Sequence, residues 1–272
     1  MRRRYEFRRL RAAFLKVFLT MLLLMIALGA LYALLQSYGM MESVSYSFLM
    51  LPDPVRAFFG FVSALDLSDP LGYFCRMMLL PMAISSIIWL AQGARALNAE
   101  QASSLAELFF TQPGSRSGFF WRRWSQGLAA IVVNLLLLAG LTSLFFLLAL
   151  GQTDFGYHML IWTVFVRMLV AHVFCWNLGV LCSALFVWPA HAGWVGLAVL
   201  LVLTLTSLIP ACFGVFNVAW YWSFLHYSIP EYALHMGFAF SWPQIGAMAL
   251  ALLVTLLPGW LMMRTREIDC EV

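Results

Sequence analysis

Six long apolar runs alternate with shorter polar segments along this chain, at about residues 17–35, 71–91, 128–150, 159–187, 194–215 and 243–263. A helix that crosses a hydrocarbon core ~30 Å thick needs about 20 predominantly apolar residues, and each run is of that order. The runs are unbroken, without the apolar–polar alternation of a membrane β-barrel. The pattern predicts an all-α integral membrane protein, one transmembrane domain over 1–272 with about six spans.

The polar segments have patterns of their own. Ahead of the first run, Phe7, Leu10 and Phe14 recur at three- and four-residue steps among Arg3, Arg4, Arg8 and Arg11. That spacing suits an amphipathic helix lying on anionic lipid and predicts an elbow helix over 1–16. The apolar run that follows exceeds the about 7–15 residues of a cleaved signal peptide. Long connectors are expected at 37–70 and 217–242, short ones at 151–158 and 188–193, and a loop rich in charge at 94–125. None of these is large enough for an independent soluble core.

Composition agrees. Of 272 residues, 63% are hydrophobic and 10% charged, with mean hydropathy +0.88 and net charge +4, whereas soluble domains carry about 25% charge. Orientation follows from where the basic residues fall. Thirteen of the 16 Lys and Arg lie in the first segment, the 94–125 loop, or the tail; Arg56, Arg76 and Arg167 are the exceptions. The positive-inside rule then puts both termini and that loop in the cytoplasm, in a bacterial-type cytoplasmic (inner) membrane. Arg76, at the outer start of the second run, reads as a headgroup anchor. The five cysteines suit no closed disulfide framework and read as small buried side chains.

Enzymatic signatures are sparse. The chain has no G-x-x-x-x-G-K-[ST], G-x-S-x-G or H-E-x-x-H, so the nucleotide-phosphate cradle and the commonest hydrolase and zinc-protease patterns are missing. His226 and His235 flank Glu231, but nine positions apart they match no established ligand spacing and read as interfacial polar residues. Arg167 sits about eight residues into the fourth run, where a charge costs about 2.5–3.5 kcal/mol even on the lenient scale. It either faces the protein interior, as part of a substrate path or a helix–helix bond, or snorkels to the surface. His172, five residues on, points elsewhere on an ideal helix.

The 94–125 loop carries the most pattern. Asn98 can cap a helix whose third residue is Gln101, a capping-box arrangement. Leu105, Leu108 and Phe109 share a stripe, Glu100 and Glu107 lie two turns apart, Pro113-Gly114 stops the helix, and Ser115 can cap the next one. The product is a short amphipathic helix across the ends of the spans, one that either transmits force or merely covers them.

The segment Glu107-Leu108-Phe109-Phe110-Thr111-Gln112-Pro113-Gly114-Ser115-Arg116 resembles the Glu-Leu-Leu-x-x-x-Pro-x-Ser-Arg signature of the type-2 family of ATP-binding-cassette (ABC) permeases. Arg123 stands where that family usually has lysine, and Ala102-Ser103-Ser104 replaces its usual Arg-Gly-Thr. The outer segments from Leu51-Pro52-Asp53-Pro54 and Leu67-Ser68-Asp69-Pro70 are similar to the ectoloop of multidrug- and peptide-type members. The resemblance implies an exporter's membrane half that is not itself an enzyme and binds no cofactor, ATP and magnesium belonging to a separate ATPase subunit. It also implies a homodimer or heterodimer with a second permease, in a lipid bilayer and without nucleic acid. It assigns Glu100, Leu105, Glu107, Leu108, Pro113, Ser115, Arg116 and Arg123 to the ATPase dock. The alternatives are a non-transporting scaffold or sensor subunit of the same fold, or an integral membrane enzyme using unrecognised residues.

Overall fold

A computed structural model describes residues 2–52, 67–98, 116–206, 230 and 242–265. These residues are all-helical, with no strand among them. Eight helices follow in order: α1 (Arg2–Ser37), α2 (Met41–Leu49), α3 (Pro70–Met77), α4 (Leu79–Gly93), α5 (Arg116–Ala149), α6 (Phe155–Leu185), α7 (Pro189–Thr206) and α8 (Trp242–Thr265).

Four stretches are long and apolar enough to cross a membrane: Arg11–Ser37, Pro70–Gly93, Arg116–Ala149 and Phe155–Leu185. They coincide with the first four apolar runs. The fifth and sixth runs overlap the shorter apolar helices Pro189–Leu205 and Met248–Arg264, and the fifth extends beyond residue 206, outside the described residues. The expected elbow and first span form one continuous helix, because no proline interrupts Arg2–Ser37. The exposed faces bear Leu19, Leu23, Ile26, Leu136, Leu144, Leu201 and Leu253, a surface that suits lipid and not water.

Helix ends are set by local chemistry. Gly39, with φ +65°, ends α1 in a Schellman turn: its N–H donates to Gln36 O at 3.1 Å and that of Met40 to Leu35 O at 3.0 Å. Asp69 caps α3, its Oδ2 accepting from Gly72 N at 3.0 Å, and Asp154 caps α6, its Oδ1 accepting from Gly156 N at 3.0 Å. The second apolar run is split at Met78. Pro81 has no N–H to give the carbonyl of Met77 and crowds it, so the helix breaks one turn before the proline. Arg76, expected as a headgroup anchor, is instead buried with its guanidinium 5.6 Å above the Phe48 ring, because α2 folds back beside it.

Contacts fix the relative directions. Ser85 meets His172, Trp89 meets Trp176, and Leu97 meets Ser183, so α4 and α6 run parallel. Trp124 meets Asn177 and Phe146 meets Tyr157, so α5 runs antiparallel to α6. The α1 Tyr32 reaches Ser68, which precedes α3, whereas Ala13 lies across from Ala96, so α1 opposes α3 and α4. The four long helices therefore alternate in direction. The 94–98 turn, the start of α5 and the end of α6 gather at one end, here the loop end; the 38–52 segment and the starts of α3 and α6 gather at the other. The main core runs between them through Met21, Ile131, Leu138, Val164 and Met168.

Candidate functional site

Candidate function concentrates at the loop end, where both stems of the 94–125 loop meet α6. The first is the end of α4. Trp176, Gly179, Val180 and Ser183 recur at three- and four-residue steps on α6 and form the stripe that α4 packs against. At the crossing there is no room for side chains. A Cβ on Gly93 would stand 2.6 Å from Trp176 O, and one on Gly179 would stand 2.8 Å from Ala94 N and press on Leu90 O. Small residues here let two backbones touch, the usual device where lipid gives no hydrophobic drive for helix association.

One turn further, Ser183 Oγ accepts from the N–H groups of Leu97, at 2.9 Å, and Asn98, at 3.2 Å. Asn98 Nδ2 donates to Phe186 O at 3.1 Å, while its Oδ1 has no hydrogen-bond partner. Asn98 Nδ2 thus anchors the stem to the residue that follows α6, while the helix that Asn98 was expected to cap lies outside the described residues. Ser183, Leu97 and Asn98 are buried, so the two bonds to Ser183 Oγ are made in a dry environment where leaving them unmade is costly.

The second stem is the start of α5. Trp124 Nε1 donates to Asn177 Oδ1 at 2.7 Å, and Gly127 lies flat against the Trp176 indole. Trp176 in turn meets Trp89 edge to face, with ring centroids 6.3 Å apart. On the other flank, Trp260 Nε1 of α8 donates to Ser117 Oγ at 2.8 Å, and Gly259 packs near Phe120 and Leu181. Both stems are thus bonded to α6.

Of the expected dock residues, Glu100, Leu105, Glu107, Leu108, Pro113 and Ser115 lie outside the described residues, as does the loop helix. Arg116 opens α5 and is exposed. Arg123 is only 7% exposed, its guanidinium 5.4 Å above the Phe119 ring and lining a cleft beside the Trp89–Trp176 pair. His226, Glu231 and His235 also lie outside the described residues.

Within the membrane-length part of the bundle, Arg167 faces the interior and is 1% exposed, which excludes the snorkelling alternative. Ser85 Oγ, which donates to Pro81 O at 2.6 Å, lies 2.7 Å from His172 Nε2. His172 Nδ1 and both polar atoms of Asn134 are buried and without partners. The Ser85–His172 link joins α4 to α6 well before the loop end, and nothing in the sequence pattern of either residue announces it.

At the opposite end, Asp69 Oδ1 accepts a short hydrogen bond from the Tyr157 hydroxyl. Tyr32 OH donates to Ser68 O at 2.9 Å and Tyr73 OH to Leu28 O at 3.0 Å. α6 is therefore tied to its neighbours at both ends. No family model, curated protein or solved structure matches this chain.

Proposed function

We propose that this chain is the membrane-spanning permease subunit of an ABC exporter, moving a hydrophobic, peptide or drug-like cargo across a bacterial-type cytoplasmic membrane with ATP hydrolysed by a separate subunit. The observation that carries the reading is that both stems of the signature-bearing loop are hydrogen-bonded to one long helix, α6, through Ser183 on one side and Asn177 on the other. A loop seated on a moving partner would then act on α6 as a lever about 46 Å long.

In this mechanism the loop helix rests in a groove of the ATPase. Glu107 and Arg116 make charge-assisted hydrogen bonds there, and Leu105 and Leu108 supply apolar contact. Two permeases pair, as a homodimer or a heterodimer. ATP-driven approach of the two ATPases displaces both loops, and the displacement passes through Ser183 and Trp124 into α6. Its Arg167 lies ten residues, about 15 Å, from Asn177 along the helix and borders the cargo path. The Tyr157–Asp69 bond at the far end must loosen or move with the helix for the outer side to open. Nucleotide favours one loop spacing, and the bundle conformation that matches it gains population.

The test is Glu107→Arg in the assembled transporter. Loss of ATPase co-purification, or of ATP-dependent transport in a variant that still assembles, is expected. Unchanged co-purification together with unchanged transport would overturn the assignment, as would cargo movement by the isolated chain.

A further inference from the structure

The short helix α2 has two apolar sides, and the described residues cover one of them. Met41, Val44 and Phe48 pack onto Tyr32 and Leu35 of α1 and onto Tyr73 and Met77 of α3. Ser45 Oγ, on the same side, accepts from Leu67 N at 3.2 Å. The neighbouring side bears Tyr46, Leu49 and Met50, which recur within one turn of one another and stay exposed, Tyr46 and Met50 at 61% each. Tyr38 and Met40, in the turn before α2, are exposed as well. Only Glu42, Ser43 and Ser47 make a polar edge, and Ser47 Oγ donates to Ser43 O at 2.8 Å, so its hydroxyl is spent within the helix. A helix bathed in water packs one apolar stripe and wets the rest; this one keeps a second stripe in need of a partner.

Depth names the partner. Tyr32 lies five residues, about 8 Å, inside the end of α1, and Tyr73 three residues, about 5 Å, inside the start of α3. α2 therefore runs beside the last turns of two spans, and an interfacial helix sinks its apolar face about 5–10 Å into the boundary between headgroups and acyl chains. Leu31 and Leu34 of α1 are exposed at the same level, so lipid that coats the span reaches α2. Tyrosine suits this zone, because its ring is apolar and its hydroxyl stays wet. Residues 38–52 hold Glu42 and no Lys or Arg, so apolar burial and not attraction to an anionic surface supplies the affinity. We propose that α2 is an interfacial helix whose Tyr46, Leu49 and Met50 side is immersed in bilayer lipid at the end opposite the 94–125 loop, where it sets the depth of α1 and α3. The inference rests on the chain spanning a membrane and needs neither an ATPase nor a cargo.

The test is spin labelling of the full-length chain in phosphatidylcholine vesicles, with the five native cysteines replaced. Single labels go on Tyr46→Cys, Met50→Cys, Ser43→Cys and, as a reference on an exposed part of α5, Leu136→Cys. Oxygen, which concentrates in lipid, and a water-soluble nickel chelate then report on each position by collision. The ratio of oxygen to nickel collisions at 46 and 50 is expected to exceed that at 43 several-fold and to approach that at 136. If Tyr46→Cys fails to reconstitute, Leu49→Cys reads the same side. Labels at 46 and 50 as open to nickel as the label at 43 would overturn the proposal, because that side would then face water. Labels shielded from both reagents, or broadened by a second spin, would overturn it too, since a protein surface or a second copy would then cover the side. A label at 136 that favours nickel would overturn the span along with α2, which separates that failure from one confined to the short helix.

Discussion

At the scale of single residues, the loop end depends on two glycines and one serine. Gly93 and Gly179 bring α4 and α6 into backbone contact, and a side chain at either meets main-chain atoms that cannot rotate away. Gly179→Leu is therefore expected to lie at or beyond the upper end of the about 1–3 kcal/mol range for overpacking, seen as a marked drop in thermal unfolding temperature or loss of monodisperse protein. Ser183→Ala removes no bulk but strands the N–H groups of Leu97 and Asn98 in a buried site. A destabilisation of about 1–3 kcal/mol is expected, with hydrogen exchange accelerated at Leu97 and Asn98 before it rises elsewhere. An unchanged exchange rate at those two amides would show that the stem is not held there.

At the scale of the helix, sequence periodicity and tertiary packing divide the account between them. The first four apolar runs were legible as spans because about 20 apolar residues have one stable form in lipid, a closed helix. The break at Met78 follows from Pro81, yet an apolar run containing a proline reads equally well as one kinked span. The caps Asp69 and Asp154 are not legible in the apolar pattern, since an N-cap acts through local geometry that hydropathy does not encode. Asn98 shows a tertiary demand that local pattern does not encode: Phe186, some 90 positions away, accepts from its side-chain amide. The Ser85–His172 link joins residues equally distant in sequence, and neither has a neighbour pattern that predicts it. Ser85 retains Pro81 O as acceptor without the imidazole, and His172 Nδ1 has no partner to lose. His172→Leu is accordingly expected to leave the unfolding temperature unchanged or raise it, because an incompletely satisfied buried polar side chain is replaced by an apolar one. A large drop in unfolding temperature would mean the ring bonds more strongly than the geometry indicates.

At the scale of the whole molecule, alternating helix directions place the start of α1, the 94–98 turn, the start of α5 and the end of α8 together, with α2 and the caps of α3 and α6 opposite. The interior charge belongs to this scale, because Arg167 is buried against the bundle and its role depends on what the bundle does. The alternation makes a demand that does not depend on cargo. With the five native cysteines replaced, single cysteines at Arg11, Ser104 and Arg264 must react with a membrane-impermeant maleimide from the same side, and cysteines at Tyr38 and Gln152 from the other. In the proposed topology the basic loop residues put the first group in the cytoplasm, where they should label in inverted vesicles and stay protected in intact cells. Labelling of Ser104→Cys from outside would leave the loop on the wrong side for any ATPase, and the force path through Ser183 and Trp124 would have no engine to drive it.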